Sequence, residues 1–298
     1  MARFLTDILE HRPLVLDGAM GSKIQEVDLS VEGDYLGREN CVDILVRSRP
    51  DLIQSIHEGY LSIGSDAVET NTFGANPLVL SEFDEEAASW ARSLCREAAE
   101  IARAACDAHA TSEHPRFVLG SMGPGTKLIT LGQVDWDTML ESYAEAARGL
   151  LEGGADAFLI ETSQDLLQVK CAINACLKAL DEAGRSSEDV PIMVSLTIET
   201  TGTMLVGSEI AAAVNALRSY PIFSLGLNCA TGPKEMTSHI EYLSANWPRR
   251  ISCVPNAGLP VLVDGQAHFP LKPEPLAEAV GEFIERYGID VIGGCCGT

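Results

Sequence analysis

The sequence predicts an α/β protein with one domain, residues 1–298, folded as a (β/α)8 barrel of the TIM type. Short apolar segments alternate eight times with amphipathic helical segments, and continuously apolar segments are typical of parallel strands covered on both faces. Eight strands separated by helices close naturally into a barrel. A doubly wound sheet is the main alternative, but it usually has fewer strands and a nucleotide-binding loop.

The predicted elements follow this alternation along the chain. An amphipathic turn, Phe4–Leu9, comes first, and we expect it to close the bottom of the barrel. The predicted strands are Leu14–Asp17, Ala67–Thr70, Phe117–Gly120, Ala157–Glu161, Ile192–Thr197, Ile222–Leu227, Ile251–Pro255 and Asp290–Ile292. The predicted helices are Asp51–Ile63, Glu85–His109, Asp137–Glu152, Asp165–Ala183, Glu209–Arg218, Lys234–Ala245 and Glu274–Tyr287.

The eighth predicted strand has no helix after it, because Thr298 follows Ile292 by only six residues. We therefore expect a barrel without the final helix, whose last strand another chain or a longer parent protein would cover. A weak repeat precedes three of the strands, at Gly64–Asp66, Gly154–Asp156 and Gly288–Asp290. Each glycine can adopt the left-handed conformation that ends a helix, after which the chain enters a buried strand within two residues.

Composition and charge exclude several classes of function. Asp and Glu number 43 against 21 Lys and Arg, and a net charge of −22 repels both nucleic acid and anionic membranes. No apolar segment approaches the ~20 residues needed to cross a bilayer, and Met1–Pro13 does not resemble a signal peptide. Nine cysteines are too few for a disulfide framework in a chain of this length, and an odd number cannot all be paired. We expect a soluble, cytoplasmic protein with reduced thiols.

Two glycine-containing segments resemble phosphate-binding loops without matching them. In Gly120–Lys127 the residue Thr126 separates the last glycine from the lysine, which a Walker A loop does not allow. The segment Gly18–Gly21 follows a strand but lacks the G-x-G-x-x-G spacing. Both are interpreted as loops at the active-site end of a barrel.

Three cysteines follow predicted strands, and the ends of all barrel strands meet at one face. Cys229 follows the sixth strand, while Cys295 and Cys296 follow the eighth and are flanked by glycines that allow close backbone packing. Three thiolates hold Zn²⁺ and leave a fourth tetrahedral position open, as in catalytic zinc sites. Lone cysteines are more often buried apolar residues without a ligand. For these three cysteines, spacing alone does not decide between that inert role and metal binding. We expect that inert role for Cys41, Cys95, Cys106, Cys171, Cys176 and Cys253.

Six segments of the chain resemble the homocysteine S-methyltransferase family, in particular the homocysteine-binding module of its cobalamin-dependent methionine synthase branch. They are Leu16–Gly21, Glu69–Asn76, Leu159–Thr162, Gly226–Cys229, Pro255–Pro260 and Gly293–Thr298. They run from the first strand to the last residue, and the combination of Asn-Cys with Gly-Gly-Cys-Cys-Gly is highly specific to the family.

The resemblance implies a zinc-dependent (β/α)8 enzyme that methylates L-homocysteine to L-methionine, with Cys229, Cys295 and Cys296 as the zinc ligands. A free thiol has a pKa of ~8.5, whereas coordination to Zn²⁺ removes its proton. The metal would thus prepare the homocysteine sulfur to attack a methyl group in an SN2 step without a protein base. No catalytic residue beyond the metal site is expected.

The resemblance also implies a set of substrate contacts. Asp17 and Glu161 would bind the ammonium group of homocysteine, and backbone N–H groups at Gly18 would bind its carboxylate. Both carboxylates end predicted strands and so point into the mouth of the barrel, although a solvated loop residue or a helix cap is the alternative for each. Asn228 is placed in the same substrate site.

Other polar residues lie at the same ends of predicted strands. Glu69 and Glu199 end the second and fifth strands and would add an acidic rim suited to a cationic amino group. Asn71, Ser121 and Asn256, and equally Asn228, are of a type that more often orients loops than carries out chemistry.

The methyl donor follows from the resemblance alone. Family members use methylcobalamin, S-methylmethionine or betaine, and Asn71–Asn76 resembles the cobalamin-dependent branch. A corrinoid-binding D-x-H-x-x-G motif is absent, since Asp107–His109 is followed by Ala110–Ser112. Methylcobalamin, not bound by this chain, would therefore arrive on another module or chain. The alternatives are a donor such as S-methylmethionine or betaine, and a non-catalytic module that binds zinc and homocysteine.

Overall fold

Eight parallel strands form a nearly closed barrel in the computed structural model, which describes residues 5–263 and 266–298. The strands are β1 (Leu14–Val15), β2 (Ala67–Glu69), β3 (Phe117–Met122), β4 (Ala157–Ser163), β5 (Ile192–Leu196), β6 (Ser224–Asn228), β7 (Arg250–Val254), β8 (Val261–Val263), β9 (Gln266–His268) and β10 (Val291–Ile292). β8 and β9 form a separate antiparallel hairpin, and the other eight form the barrel. Its order is β2 to β7, then β10 and β1, and a parallel bridge from Leu16 to Ala67 joins β1 to β2. The predicted fold class is confirmed.

Helices lie before the first strand and between successive strands of the barrel. They are α1 (Leu5–Leu9), α2 (Met20–Gln25), a 3-10 turn (Val42–Ile44), α3 (Leu45–Ser48), α4 (Pro50–Ser62), α5 (Pro77–Leu80), α6 (Glu85–Ser89), α7 (Ala91–His109), α8 (Trp136–Glu152), α9 (Leu166–Glu182), α10 (Ile210–Leu217), α11 (Pro233–Asn246) and α12 (Pro273–Tyr287). All seven predicted helices are present within a few residues of their expected bounds, except that Glu85–His109 is divided at Trp90.

The division at Trp90 accompanies tertiary packing of its ring. The guanidinium carbons of Arg38 and Arg47 lie 4.7 and 5.1 Å from the ring centroid, so each arginine makes a cation–π contact with the ring. The Trp90 N–H bonds the carbonyl of Ala87, three residues back, which tightens the last turn of α6 before α7 begins. Sequence periodicity does not report such contacts between distant residues.

The bottom of the barrel is closed from inside by apolar side chains. Leu5 of α1 is 3% exposed and belongs to the same buried cluster as inward-facing strand residues such as Leu14, Phe117 and Met193. This agrees with the predicted role of Phe4–Leu9, although Phe4 itself lies outside the described residues. A larger cluster lies between the outer faces of the strands and the helices.

The internal repeat has two structural functions. Its glycines all have positive φ, as predicted: 118° at Gly64, 87° at Gly154 and 65° at Gly288. Its aspartates each accept a hydrogen bond from the backbone N–H of a residue in the neighbouring strand. The pairs are Asp66 with Val15 (2.9 Å), Asp156 with Val118 (2.8 Å) and Asp290 with Ile251 (2.8 Å). The repeat therefore both ends a helix and fixes the register of adjacent strands.

Most of the helices and strands that were not predicted from the sequence lie in the segments that follow the barrel strands. The helices α2, α3 and α5 and the hairpin β8–β9 all lie between a barrel strand and the next outer helix. Residues 293–298 follow β10 without forming a helix, as predicted. Within the described ranges, no helix is long and apolar enough to cross a membrane.

Candidate metal and substrate site

A cavity of about 470 Å³ opens at the face where the barrel strands end. Most of the predicted site residues line it: Gly18, Glu161, Asn228, Cys229, Cys295 and Cys296. Glu69, Asn71 and Ser121 line it as well. Asp17 is 4% exposed and lies outside the wall, as do Asn256 and Glu199. Glu199 lies three residues after the end of β5. The acidic rim of the cavity therefore includes Glu69 but not Glu199, which was also expected there.

Three thiol groups meet at one point of this cavity. The Sγ atoms of Cys229, Cys295 and Cys296 all lie within 4.8 Å of one another. The Sγ of Cys296 is 3.9 Å from that of Cys229 and 4.0 Å from that of Cys295. Two sulfurs bound to one tetrahedral zinc at about 2.3 Å would be about 3.8 Å apart. The donor set and its spacing therefore fit a three-thiolate zinc site with one position left for another ligand.

The proximity of the thiols determines which one loses its proton first. Hydrogen bonds from Cys295 and Cys296 stabilise a thiolate at Cys229 and hold its pKa well below the ordinary value. Hydrogen bonding to Cys229 in turn raises the pKa of Cys295 and of Cys296, and the negative charge at Cys229 raises both further. Without a bound cation the cluster therefore favours one thiolate, at Cys229, over two or three.

The backbone at these cysteines is held in unusual conformations. Cys229 and Ala230 have φ of 61° and 57°, in the left-handed region that side chains other than glycine rarely adopt. The N–H of Cys229 bonds the carbonyl of Val254, which ties the turn after β6 to the end of β7. Non-glycine residues with such angles persist only where surrounding structure enforces them, and they cluster at functional sites.

The loop of the paired cysteines packs closely against its neighbours. The N–H of Cys295 bonds the carbonyl of Pro255, and the N–H of Cys296 bonds Oδ1 of Asn256 at 3.1 Å. Gly297 has φ of 82°, and a Cβ on it would overlap the side chain of Phe269. The flanking glycine is thus required by close approach, as the sequence predicted, while Asn256 orients the loop.

Two carboxylates, those of Glu69 and Glu161, line the same cavity, and that of Asp17 is buried beside it. Oδ2 of Asp17 accepts a 3.0 Å hydrogen bond from the N–H of Glu69, whereas Oδ1 is buried with no partner among the described residues. Burial raises the pKa of Asp17, and the charge of Glu161 raises it further. The pKa of Glu69 is raised by burial and by the charges of Glu161 and Asp17. Burial, together with the charge of Cys229, raises the pKa of Glu161 to about 7.

These carboxylates lack a cation. Among the described residues that line the cavity, none is Lys, Arg or His. A ligand with an ammonium group would supply the missing charge and allow the carboxylates to ionise. Gly18 lies at the same wall, and a Cβ on it would be 2.8 Å from Cε1 of Tyr60. The backbone can therefore pack this close to the Tyr60 ring only because the residue is glycine.

Polar side chains hold Glu161 in place. Its Oε1 accepts a 2.5 Å hydrogen bond from Oγ of Ser121, and its Oε2 lies 3.4 Å from both Oγ1 of Thr162 and Nδ2 of Asn228. Thr162 also lines the cavity and has φ of 53°. Sequence reasoning did not single out Thr162, because its backbone angle follows from contacts between strands.

Two further contributions to the site were not predicted. Ala267 and Phe269 reach the cavity from the hairpin β8–β9 and the residue after it. The segment between β7 and α12 carried no strong strand signal, so its position over the cysteine loop was not foreseeable. The six cysteines expected to be inert are all buried, and none joins the thiol cluster found among the described residues.

The fold and the site together define the class: a (β/α)8 barrel whose strand ends hold three converging thiols beside buried carboxylates. A model of the homocysteine S-methyltransferase family matches residues 14–298. The chain belongs to this family, an enzyme family, and the resemblance seen in its motifs is confirmed.

Comparison with individual proteins agrees with the family. Methionine synthases of Mycobacterium tuberculosis and Mycobacterium leprae are each 48% identical to this chain, over 294 and 296 residues. Those matches cover 99% and 98% of this chain but 24% of each relative, so the chain spans about a quarter of their length. Escherichia coli homocysteine methyltransferase MmuM, in oxidised form, shares the fold, with a TM-score of 0.75, 22% identity, and coverage of 100% of this chain and 96% of that one. A metallated form of MmuM has the same TM-score.

Proposed function

We propose that this chain binds Zn²⁺ through Cys229, Cys295 and Cys296 and transfers a methyl group to the thiol of L-homocysteine, giving L-methionine. The observation that carries the proposal is the convergence of three sulfurs within 4.8 Å, in a cavity that also contains buried carboxylates. Membership of the homocysteine S-methyltransferase family supports the same reaction. We also propose that residues 1–298 form a single domain.

The residues of the chain divide the work between the two ends of the substrate. Zinc held by the three cysteines would keep an incoming thiol in its nucleophilic, deprotonated form. The carboxylate of Glu161, at the cavity wall, and that of Asp17, buried beside it with Oδ1 unpartnered among the described residues, would bind the substrate ammonium. Backbone N–H groups near Gly18 would bind its carboxylate. With both ends held, the sulfur is oriented toward the open mouth, which provides proximity without a general base.

We propose methylcobalamin, carried on another module or chain, as the methyl donor. Of the exposed large apolar side chains in the described ranges, all but Ile63 lie between a strand and the first turn of the next outer helix, around the mouth. They are Val27, Val31, Leu36, Phe73, Phe83, Leu131, Leu167, Leu205, Leu259, Val261 and Leu262. Exposed apolar surface that is concentrated at one face is typical of an interaction site. The relatives named methionine synthase are about four times longer than this chain and have room for such a module.

The composition alone predicts which partners are excluded and where the protein is located. The net charge of −22 argues against nucleic acid and anionic membrane surfaces as partners. The cytoplasmic location predicted from the unpaired cysteines stays a prediction.

X-ray absorption at the zinc edge tests the proposal most directly. We expect three sulfur ligands in the zinc-loaded protein and four after addition of L-homocysteine. Four sulfurs before homocysteine is added would instead indicate a closed structural site and contradict the proposal.

Substitution separates the metal ligands from the other thiols. Cys229→Ala is expected to lose both zinc and methionine formation, because two thiolates hold the metal far more weakly than three. Cys253→Ala is the matched control, since Cys253 is fully buried in β7 outside the cavity, and it should keep both properties. A Cys229→Ala protein without zinc that still methylates homocysteine would refute the scheme.

Assays with three donors identify the methyl source. Zinc-loaded protein is incubated with homocysteine and methylcobalamin, S-methylmethionine or betaine, and methionine is measured. Turnover with methylcobalamin supports the proposal, whereas turnover only with S-methylmethionine or betaine assigns a different donor. Binding of zinc and homocysteine without turnover of any donor would indicate a non-catalytic module.

A further inference from the structure

The end of β4 departs from regular strand geometry beside the cavity. The pairing of β4 with β5 shifts register between Ile160 and Ser163, so the two residues between them leave the ladder. These residues are Glu161 and Thr162, and Thr162 has φ of 53°. A β-branched residue in the left-handed region is strained, and a bulge leaves its backbone groups without ladder partners. Something outside β4 must hold Thr162 in this conformation.

The side chain of Asn228 supplies the missing contacts. Its Oδ1 accepts a 2.9 Å hydrogen bond from the N–H of Thr162, and its Nδ2 donates to Oγ1 of Thr162 at 2.8 Å. Nδ2 also lies 3.4 Å from Oε2 of Glu161. Asn228 is on β6, and β5 lies between β4 and β6, so the amide reaches across one strand to clamp the bulge.

The amide of Asn228 is therefore committed to the protein itself. Both of its polar atoms bond Glu161–Thr162, and the side chain is 2% exposed. Asn228 was placed in the substrate site by resemblance, but this geometry leaves it little capacity for a direct hydrogen bond to substrate. It immediately precedes Cys229, so one residue connects the bulge that carries Glu161 with a thiol of the metal cluster.

We infer that Asn228 is a positioning residue: it holds Thr162 in the left-handed conformation and thereby aims the carboxylate of Glu161 at the substrate ammonium. The identity of that substrate, L-homocysteine, rests on the proposed function. Zinc binding should not require this clamp, because Asn228 makes no hydrogen bond to any of the three thiols in the structure.

Asn228→Ala tests this role. We expect one zinc per chain as in the wild type, a dissociation constant for homocysteine at least tenfold higher, and a KM that rises more than kcat falls. Calorimetry measures binding, and a chromogenic chelator measures zinc. Unchanged homocysteine affinity would overturn the inference. Loss of zinc would also overturn it, since the residue would then act on Cys229.

Thr162→Gly provides a rescue that a merely structural role does not predict. Glycine adopts positive φ without strain, so the bulge no longer needs the clamp. In the Thr162→Gly background, Asn228→Ala should weaken homocysteine binding less than threefold. Ser121→Ala is the matched control: it removes the hydrogen bond to Oε1 of Glu161 and leaves both contacts between Asn228 and Thr162 in place, so its effect should be the same in both backgrounds. An undiminished effect of Asn228→Ala would contradict the inference.

Thermal unfolding of the same proteins keeps the two proposals distinct. The shifts in Tm caused by Asn228→Ala and Thr162→Gly should be strongly non-additive, whether or not homocysteine binds. If wild-type protein binds no homocysteine but the shifts are non-additive, the proposed substrate is wrong and the clamp remains. Additive shifts would overturn the clamp. If Asn228→Ala alone does not fold, the double variant, in which the strain is absent, is compared with Thr162→Gly.

Discussion

Gly297→Ala tests whether close packing of the cysteine loop maintains the proposed zinc site. Gly297 has φ of 82°, and an alanine Cβ would overlap the side chain of Phe269. The left-handed conformation costs an L-residue about 1–2 kcal/mol, and overpacking costs about 1–3 kcal/mol. We therefore expect the free energy of unfolding to fall by about 2–5 kcal/mol. Because Cys296 is adjacent, zinc affinity should fall by about 10–100-fold, as for other groups that orient metal ligands.

Two comparisons separate the terms of this prediction. Gly288 has φ of 65° with nothing within 4 Å of an added Cβ, so Gly288→Ala incurs the backbone cost alone, about 1–2 kcal/mol, and should not affect zinc. An added Cβ on Gly297 would be 2.3 Å from Cβ and 2.5 Å from Cγ of Phe269, so Phe269→Gly, which removes both atoms, should lessen the penalty of Gly297→Ala. Urea unfolding gives the stabilities, and competition with a chelator gives the zinc affinities.

The reasoning fails if Gly297→Ala costs no more than Gly288→Ala. It also fails if the loss of stability and of zinc affinity is as large in the Phe269→Gly background as in the wild type. Either result would mean that the loop accommodates a methyl group by moving, and that its position does not depend on this contact.

Three further predictions concern charge. His57 is fully buried, with no hydrogen-bond partner among the described residues, and burial lowers its pKa to about 4. The unfolded chain binds a proton nearer pH 6.5, so stability should fall by about 2 kcal/mol from pH 7 to pH 5. Urea unfolding of His57→Leu should lack this component. Glu161→Gln should weaken homocysteine binding about 10–100-fold by calorimetry, with zinc retained, because a charged hydrogen bond is lost; unchanged binding would contradict the role of Glu161. Asp66→Asn should lower the free energy of unfolding by about 2–3 kcal/mol, because the fully buried carboxylate of Asp66 pairs with Arg12. Asp290 has no ion pair in the described structure, so Asp290→Asn should lower it by under about 1 kcal/mol. Equal losses in urea unfolding would contradict this.

The acid dependence of Asp66 has a definite sign. Hydrogen bonds from Arg12 and Val15 outweigh burial and hold its pKa below the ordinary value. The stabilisation is present above the pKa of the unfolded carboxyl, near 3.9, and is lost as pH falls through the folded value. It therefore lies below the pH 7 to pH 5 interval in which His57 acts, so the two effects can be measured separately.

Local patterns were sufficient to predict the barrel and the convergence of three thiols at its mouth. Continuously apolar segments predicted all eight strands, since burial on both faces leaves little choice of residue. In a parallel barrel every strand ends at the same face, so topology alone brings Cys229 close to Cys295 and Cys296. Family resemblance, rather than spacing, decided in favour of zinc.

The short helices and the hairpin were not predictable because they are too short to show a period. The helices α2, α3 and α5 have six, four and four residues, and the strands of the hairpin have three each. Their conformation follows from packing on the barrel. The division of the long helix at Trp90 has the same origin, because Arg38 and Arg47 approach from another part of the chain.

The placement of individual polar atoms likewise required the three-dimensional structure. The residues alone placed Asp17, Glu161 and Asn228 at strand ends, where each was a candidate for contact with substrate. Only the folded chain shows that one oxygen of Asp17 has no hydrogen-bond partner in the described part of the chain, while the amide of Asn228 is occupied by Thr162. Hydrophobic burial is non-directional, so a pattern of apolar residues is enough to specify a barrel. A hydrogen bond depends on tenths of an ångström between residues far apart in the chain, and only tertiary packing sets those distances.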